Sequence, residues 1–232
     1  MIKKRRWAKG APLLVFALLL FFSAIVSFAG SIKTVQKNDP AKGGSRMSLG
    51  ILAGYGLFSS SHIGGSPAFG VSFSLGLSRN LAIELAGGFM RPNMENDPQA
   101  HYRGKLLAVP LQLSLLGRFP VGRKLTPYVL AGGSYFINSF TLDGTVVNEW
   151  NAVGMTLTEK MNNTPGFHFG AGLEYSLSRA LSVGLDVRYF LVKAKGSWSI
   201  IDNASAVETN GTFSGANLNA LVAAITLKYF LK

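Results

Sequence analysis

Past residue 45, apolar and polar positions alternate almost one for one. That period of two is the side-chain repeat of a strand whose two faces meet different surroundings. Eight segments carry it, spanning 47–58, 68–78, 81–91, 105–119, 126–140, 166–178, 181–200 and 218–231. In the second, Phe69, Val71, Phe73, Leu75 and Leu77 share one face, and Gly70, Ser72, Ser74 and Gly76 the other. In the seventh, Leu181, Val183, Leu185, Val187, Tyr189 and Leu191 oppose Ser182, Gly184, Asp186, Arg188 and Phe190. The fifth, "PYVLAGGSYFINSF", has mixed parity, and Val129, Ala131, Tyr135 and Ile137 are placed on its apolar face. One unit is written twice, as "FSLGLSRNLAIELAGGF" and "LEYSLSRALSVGLDVRYF".

The connections alternate in length as well. "SRN", "PVGRK" and "SRA" are tight turns, whereas the intervening links are long, the longest being 142–165 and 201–217. In an antiparallel sheet this puts every short link at one end and every long link at the other. An even strand number with that asymmetry is the pattern of a bacterial outer-membrane barrel, with short periplasmic turns and long outside loops. The expected fold is all-β, an eight-stranded antiparallel up-and-down transmembrane β-barrel over residues 46–232. Length agrees, since strands of 9–11 residues tilted near 45° span the hydrocarbon.

A soluble ligand-carrying barrel is the competing architecture, with apolar residues turned inward. The other face decides between them. A water-facing strand carries Lys, Glu, Thr and Gln, whereas here that face is mostly Gly, Ser and Ala. Small residues suit the lumen of eight strands, which holds only side chains. Aromatics gather toward strand ends, where amphipathic rings settle at the headgroup level. Phe58, Phe89, Tyr135, Phe167, Phe169 and Trp198 lie toward the long loops, and Phe119, Tyr128, Tyr175 and Tyr229 toward the short turns.

Composition adds an export route. Hydrophobic residues make up 48% of the 232 and charged ones 15%, low against about 25% in soluble domains. Part of the excess is N-terminal: "MIKKRRWAKG" is a basic start, an apolar run follows, and Ser27-Phe28-Ala29 offers a cleavage site. Residues 1–29 read as a secretory signal peptide, with a retained anchor as the alternative, and 30–45 as a flexible arm. Losing the five basic residues of the start takes the net charge from +12 to +7. The remaining bases form no stripe of the kind nucleic acid requires. With no cysteine there is no disulfide framework or thiolate chemistry.

The segments "LTPYVLAGGSYF", "GFHFGAGLEYSLSRALSVGLDVRYF" and "LVAAITLKYFL" resemble the outer-membrane beta-barrel superfamily, especially its OmpW-like branch, with OmpA- and OmpX-like barrels as broader relatives. The resemblance covers about 46–232. It implies outer-membrane lipids as surroundings and the barrel assembly machinery as a partner in biogenesis. It also implies a narrow, largely closed lumen and passage of small hydrophobic molecules by a lateral route.

Chemistry is sparse. His62, His101 and His168 are dispersed, no metal or cofactor is expected, and no phosphate loop, HExxH or nucleophile elbow occurs. A His-Ser-Glu arrangement at His168 and Glu174 fails on distance, because six residues along one strand are roughly 20 Å. Catalysis is therefore not expected. The inward charges are more informative. Glu84, Arg118, Glu174, Asp186, Arg188 and Lys228 share the luminal parity, three acids balancing three bases. Buried charges persist only when paired and hydrogen-bonded, so they are expected to form a salt-bridged plug; charges lining a water-filled channel are the alternative. The long loops leave a second role open, adhesion to a surface ligand.

Overall fold

The computed structural model describes residues 47–95 and 103–231; the expected signal segment, the arm and His101 lie outside the described residues. Among the described residues are eleven strands and one helix. The strands are β1 (Met47–Phe58), β2 (Ser66–Gly76), β3 (Leu81–Met90), β4 (Asn93–Met94), β5 (Gly104–Arg118), β6 (Leu125–Leu142), β7 (Met155–Met161), β8 (Thr164–Ser176), β9 (Leu181–Asp202), β10 (Val207–Asn217) and β11 (Ala220–Phe230). The helix α1 is Gly144–Ala152. Eight strands pair in the order β9, β11, β1, β2, β3, β5, β6, β8, every pair antiparallel, and β8–β9 pairing closes the ring. Closure leaves no sheet edge in lipid, where an unpaired backbone group costs several kcal/mol.

The repeated hairpin is a repeated turn. In β2–β3 the N–H groups of Leu77 and Ser78 donate to the Leu81 carbonyl at 2.9 and 3.0 Å. In β8–β9 those of Leu177 and Ser178 donate to Leu181 at the same distances. Ser78 and Ser178 each use the hydroxyl to accept a backbone N–H two residues on. A Ser side chain that copies a backbone turn fixes the register of the strands that follow.

The faces fall as the alternation requires. Val71 is 62% exposed while its neighbour Ser72 is 9% exposed. Ile51, Leu85, Leu113, Leu185 and Ile225 are likewise exposed on the outer wall, with no Lys, Arg, Asp or Glu among the exposed residues of that band. The parity of β6 is as expected, Ala131, Tyr135 and Ile137 pointing outward and Leu130, Ser134 and Phe136 inward. Tyr128 departs from expectation. It is 2% exposed and points into the lumen, because a hydrogen-bond partner waits there.

The two long links are not simple loops. Residues 142–165 contain α1, capped by the Asp143 side chain on the Thr145 N–H at 2.9 Å, followed by β7. Residues 201–217 contain β10. Both strands pair with the outer half of β9, so β7, β9 and β10 make a three-stranded sheet that continues the wall beyond the bilayer. "MTLTEKM" and "SWSIID" hold the Thr, Ile and Trp that favour strands, and a structureless link of over 20 residues is rare in a compact fold.

Candidate functional site: a layered lumen

The lumen is stacked in three layers. Nearest the short turns, Ala82, Leu116, Tyr128 and Leu130 form a small apolar cluster. Toward the outside a larger cluster gathers Met90, Leu106, Ala108, Phe136, Phe190 and Val192 from four different strands, and reaches Met161 and Leu218. Between them lies charge.

Arg188 on β9 is the hub. Its Nε donates to Asp186 Oδ1 at 2.7 Å, its Nη2 to Glu84 Oε1 at 2.8 Å, and its Nη1 to Gln112 Oε1 at 2.9 Å. Asp186 and Arg188 point the same way because they are two apart on one strand. Glu84 arrives from β3 and Gln112 from β5, so the guanidinium bridges the lumen. Its planar fork of five donors suits this better than an ammonium. The remaining carboxylate oxygens are also engaged: Tyr128 OH donates to Asp186 Oδ2 at 2.6 Å, and Ser74 Oγ to Glu84 Oε2 at 3.1 Å. Lys228 Nζ stands 3.5 Å from Glu84 Oε2 and 3.7 Å from Glu174 Oε2, and 5.2 Å from the centre of the Tyr128 ring. The Tyr128 ring rests against Gly172, where a Cβ would collide with it. Glu84, Arg188 and Lys228 are respectively 0%, 4% and 3% exposed, so the network is buried.

Five of the six luminal charges picked from parity thus meet in one network. The sixth, Arg118, does not join it. It lies half-buried at the short-turn end of β5, exchanging hydrogen bonds with Asn80, and makes no ion pair among the described residues. Parity places it inward; height removes it. Tyr128, Gln112 and Ser74 complete the network. Sequence reasoning misses their role, although the inward parity of Gln112 and Ser74 is legible.

His168 roofs the layer. Ser114 Oγ lies 2.7 Å from Nε2 and Ser134 Oγ 3.2 Å from Nδ1, and the ring leans on Phe190. Glu174 pairs with Lys228 and not with His168. His62 sits in an outer link near Ser60. Among the described residues no three His, Cys, Asp or Glu converge in a way that would hold a metal ion.

The β3–β5 ladder beside the upper cluster is interrupted. Rungs between β3 and β5 run from Leu81–Gly117 to Gly87–Leu111, then resume only at Met90–Ala108. The omitted rungs would join Gly88 to Pro110 and Phe89 to Val109. Proline has no N–H to give, and β5 keeps its ladder with β6 through Pro110–Phe136. The missing donor therefore falls on the β3 side.

Comparison with known proteins agrees with this architecture. The protein is similar to the outer membrane protein OprG from Pseudomonas aeruginosa, at 14% identity and a TM-score of 0.62, over 82% of this chain and 98% of that one. It is similar to a major outer membrane protein from Thermus thermophilus, at 16% identity and 0.54, over 81% and 100%. Outer Membrane Protein W of E. coli aligns at 16% identity and 0.47, over 82% and 100%. No curated protein matches the chain. The family model described as "Outer membrane protein beta-barrel domain" matches residues 14–223. An eight-stranded barrel, an apolar outer wall and a family match over nine-tenths of the sequence leave no room for a soluble carrier: the chain belongs to the outer membrane protein beta-barrel family and resides in the bacterial outer membrane.

Proposed function

We propose that this barrel is closed to ions and polar solutes and admits small hydrophobic molecules from outside, releasing them sideways into the bilayer. The carrying observation is the order of the layers. An apolar upper lumen ends on a floor of paired charges, which an uncharged hydrophobic solute cannot cross without breaking ion pairs. The missing rungs beside Met90 and Ala108 favour a lateral exit, since wall that lacks a backbone donor parts more easily than an unbroken hydrogen-bonded ladder. No catalytic role follows from any cluster described above.

The test pairs two measurements. Cells producing the protein take up uncharged N-phenyl-1-naphthylamine faster than cells without it, and Pro110→Val, which restores a backbone donor to the seam, slows that uptake. In planar bilayers the wild type carries no large steady ionic current. Such a current, or a Pro110→Val variant with undiminished uptake, refutes the proposal.

A further inference from the structure

Above the bilayer, the inner face of the outer sheet continues the apolar lumen. On β9 the luminal parity runs from Phe190, Val192 and Ala194 to Gly196, Trp198 and Ile200. On β7 the same face carries Leu157, Glu159 and Met161, with Glu159 directly opposite Trp198. On β10 it carries Phe213 and Gly211, opposite Gly196 and Trp198. Phe213 lies over Gly196 and Trp198 over Gly211, where a Cβ at either glycine would strike the ring. The result is an apolar track of two aromatic faces and three aliphatic or thioether side chains, containing one carboxyl group.

That carboxyl lacks a partner. Glu159 Oε2 is occluded from solvent and accepts no hydrogen bond, and no hydrogen bond or ion pair to Glu159 occurs among the described residues. Burial alone pushes its pKa up to about 7. The charged groups of the surrounding elements are directed elsewhere. Lys160 on β7 and Lys193 and Lys195 on β9 are exposed on the opposite face. Glu149 on α1 is exposed, and β6 has no charged residue. Asp202 accepts from Ala204 and Ser205 in the turn after β9, Glu208 accepts from Ser199, and Asp143 caps α1. A half-buried carboxyl with one oxygen occluded and no protein donor calls for a physical reason. A divalent ion is a poor one, because among the described residues no two further His, Cys, Asp or Glu side chains converge here.

We infer that Glu159, Trp198 and Phe213 form an outer binding site for a lipophilic monocation, an alkyl- or arylammonium whose charge meets the carboxylate and whose body lies on the two rings. An ammonium supplies donors to Glu159 and is attracted to the face of Trp198, the best of the aromatic partners for a cation. Its apolar part buries against Leu157 and Met161 and so leads into the upper lumen. The inference rests on the reading of the barrel as a route for hydrophobic solutes and adds a charge preference at its entrance.

The test uses full-length protein in phosphatidylcholine nanodiscs, with Trp7 and Trp150 replaced by Phe so that Trp198 alone reports. At pH 8.5, hexylammonium changes Trp198 fluorescence saturably, and Glu159→Gln weakens that binding at least tenfold while leaving hexan-1-ol unchanged. Lowering the pH to 5.5 protonates all but about 3% of a group with a pKa near 7, so wild-type affinity for hexylammonium falls about thirtyfold. Glu159→Lys exchanges the preference and takes hexanoate. Resistance of each variant to unfolding before boiling confirms the barrel. Equal binding of hexylammonium and hexan-1-ol, unaltered by Glu159→Gln, overturns the cation preference and leaves solute passage standing. Absence of any saturable response to hexylammonium also overturns it, and N-phenyl-1-naphthylamine uptake then judges solute passage separately.

Discussion

Arg188→Met removes the hub of the luminal layer while keeping most of its volume, so its effect reads electrostatics more than packing. Removing one partner of a buried ion pair costs about 3–5 kcal/mol, because the other charge is left uncompensated. Here neither stranded carboxylate is bare. Asp186 keeps the Tyr128 hydroxyl at 2.6 Å, and Glu84 keeps Ser74 at 3.1 Å and Lys228 at 3.5 Å. The expected loss is therefore near the lower end, about 3 kcal/mol. Adding Asp186→Asn to Arg188→Met removes one stranded charge, and the double variant recovers roughly 1 kcal/mol or more, although each single change destabilises. Urea unfolding in lipid vesicles, followed by the gel-mobility difference between folded and boiled barrel, gives each midpoint. The same variants in planar bilayers show whether conductance appears as the network is dismantled. A loss below about 1 kcal/mol for Arg188→Met, or strict additivity of the two changes, would refute the view of Arg188 as a mutually paired hub.

Two further predictions concern its surroundings. Tyr128→Phe deletes a hydroxyl donated to a charged acceptor and should cost about 1.5–3 kcal/mol; a Cβ in Gly172→Ala strikes both the same ring and the Leu185 backbone carbonyl, so a Tyr128→Ala background should relieve only part of its cost, by the same unfolding assay. At the outer sheet, the folded-state pKa of Glu159 is raised above its unfolded value, so the native state holds the proton more tightly between roughly 4.5 and 7. Its contribution is fully present below 4.5 and is lost as pH rises through 7. Hydrogen-exchange protection of Thr156, Thr158 and Lys160, taken relative to Glu159→Gln, should therefore fall from pH 5 to pH 8, and a flat ratio would contradict the burial of the carboxyl.

Much of the barrel is legible in the sequence because lipid and lumen impose opposite demands on adjacent residues. β1 begins and ends where the alternation does, and the other seven wall strands start within two residues of their expected positions. The upper luminal cluster is harder to read. In "KLLAVPLQLSLLGR" both faces are apolar, so a period of two separates Leu106 from Leu107 in direction but not in environment; only closure of the ring shows Leu106 buried and Leu107 on the wall. Tyr128 is expected at the headgroups because an aromatic near a strand end fits that place equally well, and nothing in its neighbours announces Asp186 across the lumen. Glu159 lies inside a link whose strand character is short, and the residue opposite it in the sheet, Trp198, is 39 positions away in sequence.

Parity fixes the side of the wall on which a charge sits, whereas pairing also needs height, and height comes from strand stagger. Glu84 and Arg188 are 104 residues apart in sequence, and they meet through successive registers: Glu84 opposite Ser114, Ser114 opposite Gly132, Gly132 opposite His168, and His168 opposite Phe190, one luminal step above Arg188. Arg118 is two luminal steps below Ser114 on the same strand, and that displacement alone excludes it from the layer. The same logic explains why a narrow barrel can keep charges inside a membrane. Ladders between neighbouring strands place Ser and Tyr donors with Gln and carboxylate acceptors at one level, so Glu84, Asp186 and Arg188 each find several partners there. A one-residue slip in β3, β8, β9 or β11 would turn that strand's luminal charge to the acyl chains, at a cost of about 2–4 kcal/mol for Arg or Lys near the midplane. The network thus penalises the wrong register as well as pairing charges across the lumen.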